Sequence, residues 1–156
     1  MAVLNEDWQL LGNQKLENMA TALFPGSFDP FTKGHEAILR RVLPLFDKVV
    51  VAVGVNSEKH CMFSPDERVE RIRQMLSDCP TVEVTSYSGM TVDFCHQIGA
   101  QCIIRGIRTA KDFEYEQLVA SVNREQDSTI ETLLVMADAD HREISSTLER
   151  ERLTHK

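Results

Sequence analysis

The chain has 156 residues, enough for one domain with a sizeable core, and its 42% apolar and 26% charged residues suit a soluble globular protein rather than a disordered or membrane one. A formal net charge of -7 argues against a general affinity for nucleic acid, yet a few placed Arg and Lys residues could still hold a small anion. The four cysteines, Cys61, Cys79, Cys95 and Cys102, form no C-x-x-C pair, no apolar run approaches the ~20 residues of a bilayer span, and no signal-peptide pattern is present, so a cytoplasmic chain with reduced thiols is expected.

Residues 1–20 fall outside the pattern that follows and read as an extension. Leu4, Trp8 and Leu11 are spaced for a short amphipathic helix, and Met19 is a candidate natural start because the ordered pattern begins directly after it. An apolar strand over 22–24 ends at Pro25-Gly26, and the next loop feeds a helix over about 34–43, with Ile38, Leu39 and Val42 on one face and Pro44 near its end. Residues 48–53 are a β-branched run suited to a strand buried on both faces. After a loop over 54–63, Ser64 as N-cap, Pro65 at the first helical position and Glu67 closing a capping box start a second helix. It carries Val69, Ile72, Met75 and Leu76 inward, and Glu67 is expected to pair outward with Arg71. A short strand over 82–84, a helix over 91–98 closed by Gly99, and a strand over 102–104 follow. A helix over 112–125, a strand over 132–136 and a helix opened by Ser145 complete residues 21–156 as one domain. This alternation predicts an α/β, Rossmann-like, doubly wound sheet of about five parallel strands with helices on both faces.

In such sheets ligands bind beyond the carboxyl ends of the strands, where the strand order reverses. Four polar clusters follow strands on that side: the 25–35 loop, the Lys59 loop, Arg105 to Arg108, and the stretch before Ser145. The first has the parts of a phosphate holder, since free N–H groups and the helix dipole both favour an anion at a helix start. Gly26 permits a turn, Ser27 offers a hydroxyl, Thr32 can cap the helix, and His35 lies in its first turn. Arg105 and Arg108 flank Gly106 in a manner suited to anions, and equally suited to ion pairs with Asp112, Glu114 or Glu116. Lys59 alone reads as a solvated loop residue, and Ser145-Ser146-Thr147 alone as a helix cap. His60, His96 and His155 show no partner pattern and read as structural or solvent-facing.

Taken together, Gly26-Ser27-Phe28-Asp29-Pro30-Phe31-Thr32-Lys33-Gly34-His35 resembles the opening signature of bacterial phosphopantetheine adenylyltransferases, nucleotidyltransferases with an H/T-x-G-H motif. Arg105-Gly106-Ile107-Arg108 with Asp112-Phe113-Glu114-Tyr115-Glu116, and then Ile144-Ser145-Ser146-Thr147 with Arg150 beyond, are similar to two later elements of that family in the same order. The resemblance covers roughly residues 21–150. It implies transfer of AMP from ATP to 4′-phosphopantetheine, giving dephospho-CoA and pyrophosphate, with no covalent enzyme intermediate. By the same resemblance His35 donates a hydrogen bond to the α-phosphate in the transition state, and Ser27 and the N–H of Phe28 hold phosphate oxygens. Lys59, Thr91 and Arg105 would bind phosphopantetheine, while Gly106, Ile107, Arg108 and Glu116 would lie along ATP. His141 sits where the family usually has an aromatic residue near the adenine, and Ser145, Ser146 and Thr147 would hold the β- and γ-phosphates. Mg2+ is implied with ATP, held by phosphates and water. Feedback binding of coenzyme A and a homo-oligomer, commonly a hexamer, are implied too, with no nucleic-acid or membrane partner. Ser27 stands where Thr is commoner, and the chain stops soon after Arg150, where relatives continue into a further helix. Two rivals remain: a nicotinate- or nicotinamide-mononucleotide adenylyltransferase, which usually shows H-x-G-H where this chain has Thr32, and a catalytically silent nucleotide- or CoA-binding module. Against the silent module, His35, Lys59, Arg105 and Arg108 are all present.

Overall fold

A computed structural model describes residues 21–141 and 144–155; the spacing of Leu4, Trp8 and Leu11 and the candidate start at Met19 lie outside the described residues. Five strands, β1 (Thr21–Gly26), β2 (Lys48–Gly54), β3 (Val82–Tyr87), β4 (Cys102–Ile107) and β5 (Glu131–Met136), alternate with α1 (Lys33–Val42), α2 (Pro65–Met75), α3 (Thr91–Ile98) and α4 (Ala110–Gln126). A last helix, α5 (Ser146–Thr154), follows β5. All strand pairs are parallel, in the order β3-β2-β1-β4-β5. The order therefore reverses between β1 and β4, as the doubly wound reading requires.

The period of two along the strands divides the core between the two faces of the sheet. Ala22, Phe24, Val49, Val51 and Ile104 pack against Ile38, Leu39 and Val42 of α1 and Val69 and Ile72 of α2. Leu23, Val50, Ala52 and Ile103 point the other way, onto Val92 and Cys95 of α3. Val49 through Val53 are essentially without exposed surface, and each valine so buried contributes roughly 2 kcal/mol of transfer free energy. Burial also pushes the thiols of Cys95 and Cys102 up to about 11, so both behave as small apolar groups.

Local chemistry sets the ends of the elements. Ser64 and Glu67 form the predicted capping box, and Gly99 closes α3 in the left-handed conformation. Thr109 and Asp112 form a further capping box, which starts α4 two residues before the predicted helix. Pro44 does not simply end α1: residues Leu43–Leu45 tighten into a 3-10 turn. The expected Glu67–Arg71 pair is replaced by other partners. Glu67 Oε2 accepts the Ser64 N–H at 2.7 Å, and the Arg71 guanidinium stacks 4.2 Å above the Phe63 ring. His96 also departs from the sequence reading, since its Nε2 lies 2.6 Å from the Asp127 carboxylate. No described helix is long and apolar enough to cross a membrane.

Candidate active site

The sheet opens where its order reverses. β1 matches β2 residue for residue from Thr21 to Gly26, but pairs with β4 only at Ala22 and Leu23. Beyond that point the carboxyl ends of β1 and β4 diverge, leaving a cleft between Pro25-Gly26 and Arg105-Gly106. Arg105 spans the gap: its Nη1 donates to the Pro25 carbonyl at 2.7 Å, while Nε and Nη2 grip Glu116 of α4 at 2.9 and 2.7 Å. Glu116 is only 5% exposed, so this forked contact is what permits a carboxylate there.

The loop after β1 is held from several sides. Phe28 takes a left-handed backbone (φ 47°), a conformation that costs a non-glycine residue roughly 1–2 kcal/mol. Its ring stands edge-on to Phe24 at 5.4 Å and Phe31 at 5.1 Å, and a Cβ at Gly26 would come within 2.7 Å of it, which is why that position must be glycine. The Ser27 carbonyl accepts from Nη1 of the buried Arg68 at 2.6 Å.

Thr32 and His35 form the capping box that opens α1, with histidine in the place usually taken by Glu or Gln. This settles the state of the ring. The Thr32 N–H can only donate, and it points at His35 Nδ1 from 2.9 Å, so Nδ1 carries no proton. Burial, and then the charges of Arg108 and Arg105, lower the pKa of His35 to about 4. The imidazole is therefore neutral at pH 7 with its single proton on Nε2, a fixed donor on a ring that lines the cleft.

Two cavities of about 310 Å³ each adjoin across a shared wall that includes Gly26, Ser27, Arg105 and Glu116. The first is lined by Lys59 and Thr91, with Tyr87 and Asn123 beside them. The Tyr87 hydroxyl lies 3.0 Å from Thr91 Oγ1, and its ring stacks on Phe94 at 4.7 Å. Phe28, His35, Gly106 and Arg108 line the second, together with His141 and residues Ser145 to Thr147. Arg108 Nη1 donates to the Ile144 carbonyl at 2.8 Å, and its backbone N–H is fixed by Asp112 at 3.0 Å. His141 Nδ1 is buried without a hydrogen-bond partner among the described residues. The fourteen residues singled out from the sequence thus converge on one cleft, except that Ile107 is buried and lines neither cavity.

Sequence reasoning missed Asp29, Arg68 and the tyrosines. Asp29 sat inside the opening signature without an assigned role, and Tyr115, which lines both cavities, sat inside the Asp112–Glu116 block. Arg68 gave no signal, because a charged residue at the fourth position of a capped helix reads as solvent-facing.

A parallel sheet split at its reversal point, with a phosphate-type loop on one side and basic side chains across the gap, makes a cleft suited to anionic ligands. Residues 23–152 match the cytidylyltransferase-like family. The phosphopantetheine adenylyltransferase of Bacteroides fragilis is 46% identical over 135 residues, covering 86% of this chain and 89% of that protein. The one from Leuconostoc citreum is 47% identical over 133 residues, covering 85% and 84%. Among solved structures, a bifunctional NMN adenylyltransferase/ADP ribose pyrophosphatase from Francisella tularensis shares the fold (TM-score 0.68, 17% identity, 88% of this chain and 42% of that one). So does a pantoate-beta-alanine ligase from Francisella tularensis (TM-score 0.61, 10% identity, 92% and 70%). The chain belongs to the cytidylyltransferase-like nucleotidyltransferases and, within them, to the phosphopantetheine adenylyltransferase family.

Proposed function

We propose that this chain transfers the adenylyl group of ATP to 4′-phosphopantetheine, giving dephospho-CoA and pyrophosphate in coenzyme A synthesis. The observation that carries the reading is the pair of adjoining cavities. Lys59, Thr91 and Arg105 face one, His35, Arg108 and Ser145 to Thr147 face the other, and Ser27 borders both. Phosphopantetheine occupies the first cavity and the nucleotide the second, with the two reacting phosphates meeting at Ser27. An oxygen of the 4′-phosphate attacks the α-phosphorus, the bond to the β-phosphate oxygen breaks, and pyrophosphate leaves. A phosphate nucleophile is already anionic, so no general base is required. The work of the protein is alignment and charge neutralisation.

In that step the His35 Nε2–H donates to the α-phosphate as its charge rearranges, and the neutral ring needs no proton exchange to do so. Ser27 and the Phe28 N–H hold phosphate oxygens at the meeting point. Lys59 and Arg105 neutralise the 4′-phosphate. The free N–H groups at the start of α5, capped by Ser145, receive the β- and γ-phosphates. His141, on the wall of the nucleotide cavity, borders the adenine. Mg2+ would accompany ATP and neutralise charge on its phosphates. The acidic groups of the nucleotide cavity are already engaged, Asp112 by backbone N–H groups and Glu116 by Arg105, which fits an ion held by phosphates and water rather than by a protein cage.

Association of several copies, up to a hexamer, is supported by α4. Phe113, Leu118 and Val122 are 44–65% exposed there, while the one buried residue of that helix is the charged Glu116. Free thiols at all four cysteines agree with a cytoplasmic site, and feedback binding of coenzyme A is proposed from the family alone. Pyrophosphate release from ATP with phosphopantetheine, with nicotinate mononucleotide and with neither tests the assignment. Release with phosphopantetheine alone is expected, and release only with the mononucleotide, or with no partner, would overturn it.

A further inference from the structure

We infer that Asp29 is a positioning residue that ties the phosphopantetheine half of the cleft to the nucleotide half, an inference that rests on the function proposed above. Asp29 is 4% exposed and lines neither cavity. Its nearest described cation, Arg150, has Nη1 4.0 Å from Oδ2, too far for a hydrogen bond to the carboxylate. The carboxylate is satisfied by backbone instead: Oδ2 accepts the Met62 N–H at 2.8 Å and Oδ1 the Phe63 N–H at 3.0 Å. Those amides close the loop that carries Lys59 into the first cavity.

The backbone of the same residue faces the other way. The Asp29 carbonyl accepts from Arg150 Nη1 at 2.8 Å, and the next carbonyl, Pro30, accepts from Ser146 Oγ at 2.8 Å. Both donors belong to α5, whose first turn lines the second cavity. Asp29 is thus the point where the phosphate loop, the Lys59 loop and the closing helix are fixed to one another. In-line transfer requires the two phosphates to be held about 3–3.5 Å apart, so the stiffness of that junction sets how well the anions are aligned.

Asp29→Asn tests this. The substitution keeps the shape but turns an amide N–H toward one of two loop N–H groups, so one bond is lost and two donors oppose each other. The KM for phosphopantetheine should rise about tenfold while the KM for ATP changes less than about twofold. In a Lys59→Ala background the same substitution should add little, because its effect is transmitted through that loop. Amide exchange at Met62 and Phe63, followed by mass spectrometry, should accelerate. A scaffolding role alone would lower Tm and the active fraction with both KM values kept; that result, or full additivity with Lys59→Ala, overturns the inference. Should Asp29→Asn fail to fold, Asp29→Glu keeps both acceptors one methylene further out and must show the same selective shift. A wild-type chain that releases no pyrophosphate with phosphopantetheine overturns the proposed function and this inference with it. Wild-type turnover with unchanged variant constants overturns the inference only.

Discussion

His35→Gln isolates the titration of one ring from the fold that surrounds it. Glutamine at the third helical position can accept from the Thr32 N–H and so preserve the capping box, while removing the ionisable group. In the folded chain the His35 pKa is lowered from 6.5 to about 4, so the unfolded state binds the extra proton between those values. Stability from this source is complete above pH 6.5 and is lost as the pH falls toward 4. The gap between those two values sets an upper limit of about 3.5 kcal/mol. Partial exposure of the ring reduces this, and about 2 kcal/mol is expected between pH 7.5 and pH 4.5. Urea unfolding of wild type and His35→Gln at both pH values measures it. Wild type should lose about 2 kcal/mol more than the variant; equal losses would show that the ring is not held neutral, and the assignment of its proton to Nε2 would fall with that. His35→Ala, which also removes the donor, should slow turnover about 100-fold or more with little change in ATP affinity.

Lys59→Ala should raise the KM for phosphopantetheine about tenfold and leave that for ATP within about twofold, as initial-rate kinetics with each substrate varied would show. Arg105→Ala strands Glu116, which is 5% exposed, so besides weakening phosphopantetheine binding it should cost about 3 kcal/mol in urea unfolding. A further Glu116→Gln change should recover part of that stability. Gly106→Ala places a Cβ into the Cδ1 atom of Ile38, and overpacking of this kind costs about 1–3 kcal/mol. Because the obstruction is one methyl group, Ile38→Val should relieve it, and the double variant should be more stable than Gly106→Ala alone.

The fold was legible because its centre is simple. The run at 48–53 could hardly be anything but a doubly buried strand, and Ser64-Pro65-Asp66-Glu67 announced a helix by its own capping chemistry. Strand ends were less legible where function intrudes. β3 continues through Thr85, Ser86 and Tyr87, and β4 through Arg105 and Gly106, and of these Tyr87, Arg105 and Gly106 line the cleft rather than the core. The residues that line the cleft were legible because three motifs preserve sequence order. What supports them was not, since Arg68 reaching the Ser27 carbonyl and Asp29 reaching Met62 and Phe63 are contacts across 33 to 41 residues with no local pattern. The protonation of His35 lay between the two. The Thr32–His35 spacing is visible in the sequence, but burial and the approach of two arginines exist only after folding.

The early parting of β1 from β4 bears on how such a protein can change its choice of acceptor over evolutionary time. The parting strands, Arg105 between them and the loop with Phe28 form one braced wedge beside both cavities. On the proposed reading the acceptor meets mainly the stretch from Val55 to Cys61 and the start of α3, which can lengthen or change character without disturbing the strand registers beneath. Acceptor choice can therefore be rewritten in surface segments while the frame of the sheet stays as it is.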